Sequence, residues 1–344
     1  MNRWLVIAAI LGLLVAGFFF RGPMEEIHIP AGKIASVAGF PITNTILATW
    51  VTILVLTGIF YKATSGFSYE RMSLVPRGLQ NLVEFLVEAL LNFVTGVAGQ
   101  ENGRRFFPLI ATIFLFVLGN AWLGLLPGYL SLGVIQAPEH GEAAHHFEEL
   151  TTIGGLRIGY VPFISGAEEA HAAATTVTGA SQATMAPAAE EEAASGIAGV
   201  FVPLLRAANT DLNTTLALAL VAMFFVEKWG LQALGMAYLG KFLNFSGPIA
   251  FFVGLLELVS EFARVISFTF RLFGNMFAGE VLLGVITFLV PWVAVLPFFG
   301  LELFVGFVQA LVFAGLTLVF GVMAVSGHGE EHHEAHPVPE TAHH

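Results

Sequence analysis

Long apolar runs alternate with short polar connections along this chain, and the runs have the length of membrane-spanning helices. A helix needs about 20 predominantly apolar residues to cross a bilayer. The block 249–325 is long enough for two crossings, and Pro291 and Pro297 are expected to divide it, because proline ends or kinks a helix. The pattern therefore predicts six spanning helices, at 4–20, 42–61, 106–128 and 212–230 and two within 249–325.

The first run, 4–20, follows Asn2 and Arg3 and precedes Arg21. A charged start and an apolar centre would also suit a signal peptide, but no small-x-small cleavage pattern follows the run. We therefore expect a retained helix, with a signal peptide as the alternative.

Residues 79–99 repeat apolar side chains at helical spacing, with Gln80, Glu84 and Glu88 at intervals of four. This pattern is typical of an amphipathic helix, which lies on a membrane surface or packs against partner proteins. A partly polar spanning helix is the alternative for this segment.

The composition agrees with an integral membrane protein. Of 344 residues, 56% are hydrophobic and only 11% are charged, whereas a soluble domain needs far more surface charge. The continuous apolar runs also differ from the alternating segments that build outer-membrane barrels. We therefore predict an all-α fold, a polytopic membrane helix bundle of about six spanning helices with an amphipathic surface helix and two long C-terminal helices. The absence of cysteine excludes disulfides, iron–sulfur clusters and thiolate metal sites.

Charge divides the chain into segments of different character. Between residues 134 and 200 there are nine glutamates and one basic residue, Arg157, among many Ala, Gly, Thr and Ser residues, which predicts an extramembrane segment. The predicted segments are an N-terminal apolar helix with an outer connection, 1–40; the first membrane helices with the surface helix, 41–130; the acidic insert, 131–205; the last membrane helices, 206–325; and a tail rich in His and Glu, 326–344.

The basic residues outside the last two helices predict an orientation, because Lys and Arg are enriched in cytoplasmic connections. With a cytoplasmic N-terminus, eight of them fall inside and four outside. The acidic insert then faces outward, and six crossings return the tail to the cytoplasm. The inner set is Arg3, Lys62, Arg71, Arg77, Arg104, Arg105, Lys228 and Lys241, and the outer set is Arg21, Lys33, Arg157 and Arg206.

Polar side chains recur inside the last two apolar segments. Glu280 follows Arg271 by nine residues and lies about 13 Å further along a helix axis. In the final segment, Glu302 and Gln309 are seven residues apart and share a face. Intervals of four, three, seven and four place five residues, Arg271 included, in one broad stripe, which consists of Glu257, Glu261, Arg264, Arg271 and Asn275.

Charges at membrane depth favour a functional interpretation. A charged side chain at the bilayer centre costs at least about 2.5–3.5 kcal/mol, and such groups usually mark ion or substrate pathways. The alternatives are structural: Asn275 and Gln309 can bond helices together, and Arg271 can form a packing pair with a glutamate. Glu257, Glu261 and Arg264 can form ordinary ion pairs near the membrane face.

The remaining motifs carry less weight. Metal binding in the tail through His332, His333 and His336, or in the insert beside His145 and His146, is a minor alternative to a solvated segment. The chain has no GxxxxGK[ST] phosphate-binding loop, so any ATP chemistry would belong to another subunit. Two functions would suit a membrane protein with these polar residues. One is an ion-coupled secondary transporter, although the internal repeats of many transporters are not evident in this sequence. The other is a structural membrane subunit of a respiratory complex.

Four segments are similar, in the same order, to the a subunit of F-type ATP synthases, the stator protein beside the rotating c ring. The resemblance covers roughly residues 40–130 and 200–325, and leaves out the first helix, the insert and the tail. The four segments are FFPLIATIFLFVLGNAWLGLLPG (106–128), NTTLALAL (213–220), RLFGNMFAGE (271–280) and FVQALVFAGLTLVF (307–320).

The resemblance implies a role for each polar residue. Arg271 corresponds to the essential arginine of the family, and Glu257 to a carboxylate near the cytoplasmic end. Many relatives have histidine at one of the positions that Glu280 and Glu302 hold, whereas this chain has glutamate at both. The positions assigned to proton access are Asn275, Glu280, Glu302 and Gln309.

The same resemblance implies partners and location. A mid-membrane carboxylate of the c ring would face Arg271, and b-type peripheral stalk subunits and the lipid bilayer would surround the chain. The expected role is a non-catalytic one, two proton half-channels that couple proton flow to ring rotation, without cofactor or nucleic acid. The expected location is the plasma membrane or another energy-transducing inner membrane, with a cytoplasmic C-terminus. Proton or sodium specificity, the ring size and the direction of flux stay open.

Overall fold

A computed structural model describes residues 30–37, 39–64, 78–126, 129–130, 132–136, 145–153, 156–160, 197–242, 247–289 and 295–326. The predicted first spanning helix at 4–20 and the tail after Ser326 lie outside the described residues. Most of the acidic insert lies outside them too. The orientation of the chain and the division into five segments therefore stay predictions.

Helices dominate the described chain, and the predicted helical membrane bundle is confirmed. Four helices are long and apolar enough to cross a membrane, namely α1, α2, α3 and α6. The 42-residue helix α5 carries the charged residues of the stripe and Glu280. The helices are α1 (Asn44–Thr64), α2 (Leu79–Gly124), α3 (Leu212–Leu234), the short α4 (Met236–Leu239), α5 (Pro248–Leu289) and α6 (Val295–Ser326).

Helix α2 joins two segments that the sequence treats separately, the amphipathic 79–99 and the apolar 106–128. The backbone leaves the helical conformation at Gly99, with φ 76° and ψ 170°. Glycine adopts a positive φ without the steric cost that a side chain would add. The predicted boundary therefore corresponds to a break at one residue, and the apolar part ends at Gly124.

The division between the last two helices differs slightly from the expected one. Helix α5 ends at Leu289 and α6 begins at Val295, so Pro297 is already the third residue of α6. Proline is tolerated in the first turn of a helix, because the backbone N–H groups there have no partner within the helix. Of the two prolines, only Pro291 belongs to the connection.

Six strands were not anticipated. Strands β1 (Lys33–Val37) and β2 (Phe40–Thr43) form an antiparallel pair before α1. The other four strands belong to the insert region, where β3 and β4 each pair with both β5 and β6 in a closed antiparallel sheet. Part of the predicted insert is therefore regular structure. These strands are β3 (Leu132–Gln136), β4 (His145–Ile153), β5 (Leu156–Tyr160) and β6 (Ile197–Pro203).

The chain forms two compact units. The first consists of residues up to Met72, Leu115–Thr215 and Phe270–Ala310, and the second of Ser73–Phe114, Leu216–Thr269 and residues from Leu311 onward. Buried polar bonds support the first unit: Thr45 donates to Asp211 at 2.9 Å, and Thr52 donates to Asn120 at 3.0 Å.

Aromatic packing supports the second unit. The rings of Phe106 and Trp229 stack with their centroids 4.1 Å apart, and the ring of Phe268 lies 4.9 Å from that of Phe313. Phe106, Phe268 and Phe313 are almost completely buried. These large side chains bring α2, α3, α5 and α6 together within this unit.

Candidate functional site

The last part of α5 carries an ion pair in the first unit. Nε of Arg206 lies 3.0 and 3.2 Å from the two carboxylate oxygens of Glu280, and its Nη2 lies 3.1 Å from Oε2. Only 7% of the Arg206 side chain is exposed. The guanidinium also donates to the carbonyl oxygen of Pro30 at 3.4 Å and lies 5.9 Å from the centre of the Phe277 ring. Both oxygens of Glu280 are therefore occupied.

Arg206 was not predicted as a site residue, and the sequence pattern placed it only among the outer basic residues. It lies two positions before a buried 3₁₀ turn, Ala208–Thr210, which leads through Asp211 into α3. A buried arginine requires a carboxylate or equivalent partner. The available signal was its position beside a predicted spanning helix, but the identity of the partner depends on tertiary structure.

An amide pair links α5 and α6 in the same unit. Asn275 donates from Nδ2 to Oε1 of Gln309 at 2.7 Å. Gln309 is only 4% exposed, and its buried Nε2 has no hydrogen-bond partner within the described part of the chain. The two residues that the sequence placed on separate polar faces are therefore in direct contact.

Glu302 lies close to the residue that precedes Glu280. A Cβ atom added to Gly279 would lie 2.1 Å from Oε2 of Glu302, so a side chain at position 279 would displace this carboxylate from its present position. Glu302 is 8% exposed, and within the described ranges it has no hydrogen bond or ion pair. The structure thus brings Glu280 and Glu302 to one region, but gives an ion-pair partner to Glu280 alone.

Arg271 lies one helical turn before Asn275 on α5 and is half-buried. It belongs to the same unit as the Asn275–Gln309 pair, Glu280 and Glu302. Five of the six predicted site residues are therefore in the first unit, and the sixth, Glu257, is in the second.

Glu257 belongs to an ion-pair cluster in the second unit. Nζ of Lys241 lies 2.5 Å from Oε1 of Glu257 and 3.9 Å from Oε1 of Glu261. Glu261 also pairs with Arg264, one helical turn along α5. A cavity of about 230 Å³ adjoins the cluster, and its other walls include Phe320. The ion pairs that the sequence left open as an alternative are therefore present.

Neither unit offers a metal site in its described residues, where no group of three suitable His, Cys, Asp or Glu side chains occurs. The candidate metal residues of the tail, His332, His333 and His336, lie outside the described part of the chain. His145 and His146 belong to β4, and their side chains are not described.

The family model described as ATP synthase A chain matches residues 46–321, which include every predicted site residue. The chain belongs to the ATP synthase A chain family. A protein named ATP synthase subunit a from Gloeobacter violaceus is 30% identical over 289 residues, 84% of this chain and 86% of its own length. A protein of the same name from Syntrophobacter fumaroxidans is 27% identical over 304 residues, 87% and 92% of the two lengths.

Membership in the ATP synthase A chain family agrees with the long apolar helices of this chain. Members of this family are the membrane-sector subunit of ATP synthase, so the chain belongs to ATP synthesis and proton transport. The apolar helices make it a multi-pass membrane protein. The resemblance drawn from the four sequence segments is thereby confirmed. The matched range begins at residue 46 and therefore leaves out the first predicted helix and the two initial strands.

Proposed function

We propose that this chain is the stator a subunit of an F-type ATP synthase and forms two proton half-channels beside the rotating c ring. The supporting observation is that Arg271, the Asn275–Gln309 pair and two glutamates occur together in one compact unit of a family member. Proton flow through these half-channels turns the ring, and the rotation supports ATP synthesis elsewhere in the complex. The chain itself is non-catalytic.

Arg271 makes the ring carboxylate ionise as it passes. A carboxylic acid in lipid keeps its proton, because desolvation disfavours the charged form. A fixed guanidinium opposite it favours the ionised form through a charge-assisted interaction. An arginine guanidinium keeps its proton in proteins, so the cation cannot escape its cost by losing a proton.

The same cation separates the two half-channels. A permanent positive charge repels protons, so they cannot pass directly from one aqueous side to the other and must travel on the ring. Each charge that crosses gains about 2.3 kcal/mol per 100 mV of membrane potential. Several transfers are therefore needed for each ATP.

Glu280 and Glu302 take different parts in the outer half-channel. Both carboxylate oxygens of Glu280 accept hydrogen bonds from Arg206, so Glu280 serves as a fixed negative charge beside the proton path. Glu302 lacks a hydrogen-bond or ion-pair partner among the described residues and accepts and releases the proton. The Asn275–Gln309 pair places hydrogen-bonding groups of α5 and α6 on the proton path near the arginine.

The cluster around Glu257 belongs to the inner half-channel, whose opening is the cavity beside Lys241. In this arrangement the insert faces outward and the tail faces the cytoplasm. The partners are the c ring, with its carboxylate opposite Arg271, b-type stalk subunits and the lipid bilayer.

The rival functions fit the chain less well. A secondary transporter or a structural subunit of another respiratory complex would not be expected to match the ATP synthase A chain family over residues 46–321. ATP synthesis in sealed vesicles, measured for the assembled complex with Arg271→Ala, tests the proposed role. Wild-type synthesis by this variant would exclude it.

A further inference from the structure

Glu227 on α3 and Glu261 on α5 bring two carboxyl groups together in the second unit, within hydrogen-bonding reach of each other. Each has one buried oxygen without a hydrogen-bond partner among the described residues, Oε1 of Glu227 and Oε2 of Glu261. Two adjacent carboxylates have only acceptors to offer each other. Leaving such buried acceptors unsatisfied costs free energy, as does bringing two like charges together.

The other oxygens of this pair have donors. Oε1 of Glu261 pairs with Arg264 and lies 3.9 Å from Nζ of Lys241. The Tyr238 hydroxyl donates to the Glu227 carboxylate. Burial, and then the nearby Glu227 carboxylate, raises the pKa of Tyr238, so the hydroxyl stays protonated and remains a donor. Each of the two adjacent carboxyl groups therefore has one oxygen with a donor and one without.

The charge balance indicates what fills this gap. Among the described residues, the cluster contains three carboxylates, Glu227, Glu257 and Glu261, and two cations, Lys241 and Arg264, so carboxylates outnumber cations by one. One proton shared by two carboxyl groups makes the cluster neutral. It also supplies the single donor that both orphaned oxygens lack. A buried cluster with no net charge avoids the desolvation cost of an unpaired ion.

We propose that Glu227 and Glu261 hold one proton between them and form a proton-binding site in the half-channel that contains Glu257. Glu261 lines the cavity of about 230 Å³, whereas Glu227 is not among the residues that line it. The proton therefore exchanges with water through Glu261. The cavity is large enough and polar enough for water. When the proton leaves as hydronium, both carboxylates are ionised, and Lys241 and Arg264 are the cations that stabilise them. The role in a half-channel rests on the proposed function, whereas the shared proton does not.

Infrared spectroscopy of the assembled membrane sector in lipid vesicles tests the shared proton directly. A protonated carboxyl group gives a C=O stretching band that shifts in D₂O, whereas an ionised carboxylate does not. We expect Glu227→Gln and Glu261→Gln each to remove the same single band at pH 7. The matched control is Glu101→Gln, which changes an exposed glutamate and should leave this band intact. Persistence of the band in either pair variant would overturn the proposal.

A second variant keeps the test decisive if the glutamine variants do not assemble. Tyr238→Phe retains both carboxyl groups and removes the donor to Glu227, so it should shift the frequency of the band without abolishing it. A spectrum identical to that of the unmodified chain would contradict the proposal.

Proton flux separates this proposal from the proposed function. Passive flux through the membrane sector should fall several-fold in Glu261→Gln if the pair lies on the path. If the infrared result holds and the flux is unchanged, the pair binds a proton outside the half-channel and the proposed site on the path is refuted. ATP synthesis by Arg271→Ala would contradict the stator role even where both infrared results hold.

Discussion

Arg206 donates hydrogen bonds to both carboxylate oxygens of Glu280, although the two residues are 74 positions apart in the sequence. The guanidinium is buried, and its second contact, to the Pro30 carbonyl, adds a further anchor. Removing one partner of a buried ion pair leaves an uncompensated charge, which costs about 3–5 kcal/mol. This pair therefore fixes the start of α3 to α5 and fixes the orientation of Glu280.

The first prediction concerns this pair. Glu280→Gln should destabilise the chain by up to about 3–5 kcal/mol, because it leaves the buried Arg206 charge without its partner. Arg206→Gln should cost less, because the Glu280 side chain is 23% exposed. The double variant should lose clearly less than the sum, because neither charge remains. Thermal unfolding in a double-mutant cycle measures the coupling. Lys33→Gln, which removes an exposed basic residue, is the control. Strictly additive losses would show that the two side chains do not act as a pair.

The second prediction concerns the space beside Glu302. Gly279→Ala places a Cβ atom 2.1 Å from the present position of the Glu302 carboxylate, which must move. Displacing a reacting group by about 1 Å can cost on the order of 100-fold in rate. We therefore expect ATP synthesis to fall roughly tenfold or more in the assembled complex. Gly300→Ala is the matched control, because a Cβ atom there meets nothing within 4 Å. Equal rates in both variants would contradict a proton-carrying role for this carboxylate.

The third prediction separates channel and packing roles of the amide pair. Interhelical hydrogen bonds in membranes average only about 0.6 kcal/mol, so Gln309→Met should change the stability little. It should nevertheless slow proton flux through the assembled membrane sector, because the polar contact with Asn275 near Arg271 is lost. A clear loss of stability with unchanged flux would identify a helix-packing role. Measuring unfolding and flux on the same preparation provides the comparison.

Much of the candidate site could be predicted from the sequence, because polar residues in apolar helices are rare. Arg271, Glu280 and Glu302 stand out without any structure, and their spacing along α5 and α6 follows from helical geometry. The partner of Glu280 did not follow, since the contact with Arg206 joins residues far apart in sequence. Burial of Glu302 against Gly279 depends on how closely two helices approach, which periodicity does not determine.

The strands were harder to recognise than the helices. Strand β6, IAGVFVP, contains glycine and lacks the alternation that marks a half-buried strand. Strand β5, LRIGY, alternates, but it is only five residues long. The acidic and alanine-rich residues around them dominate the composition. The break at Gly99, by contrast, coincides with the end of the amphipathic segment 79–99 that the sequence pattern predicts.

The fourth prediction concerns orientation. The chain contains no cysteine, so single cysteines at Ala173 and Thr341 can be labelled selectively. We expect an impermeant reagent to reach Ala173→Cys from the outside and Thr341→Cys from the cytoplasmic side, as the eight-to-four distribution of basic residues predicts. Labelling of both from the same side would exclude six crossings between a cytoplasmic N-terminus and a cytoplasmic tail.

The fifth prediction concerns the chemical nature of the cation at position 271. Arg271→Lys should fail to support ATP synthesis, because an ammonium can lose its proton in a site of low dielectric and lacks the planar guanidinium fork. A packing role would tolerate the change, since charge and length are nearly kept. ATP synthesis in vesicles, corrected for the amount of assembled complex, gives the comparison.

The most direct test of the stator role is Arg271→Ala in sealed vesicles under an imposed proton gradient, with assembly checked separately. ATP synthesis should fall to background, because the ring carboxylate loses the charge that makes it ionise. Passive proton conduction through the membrane sector should persist or rise, because the barrier between the half-channels is gone. Substantial ATP synthesis by the assembled Arg271→Ala complex would contradict the role proposed for this chain.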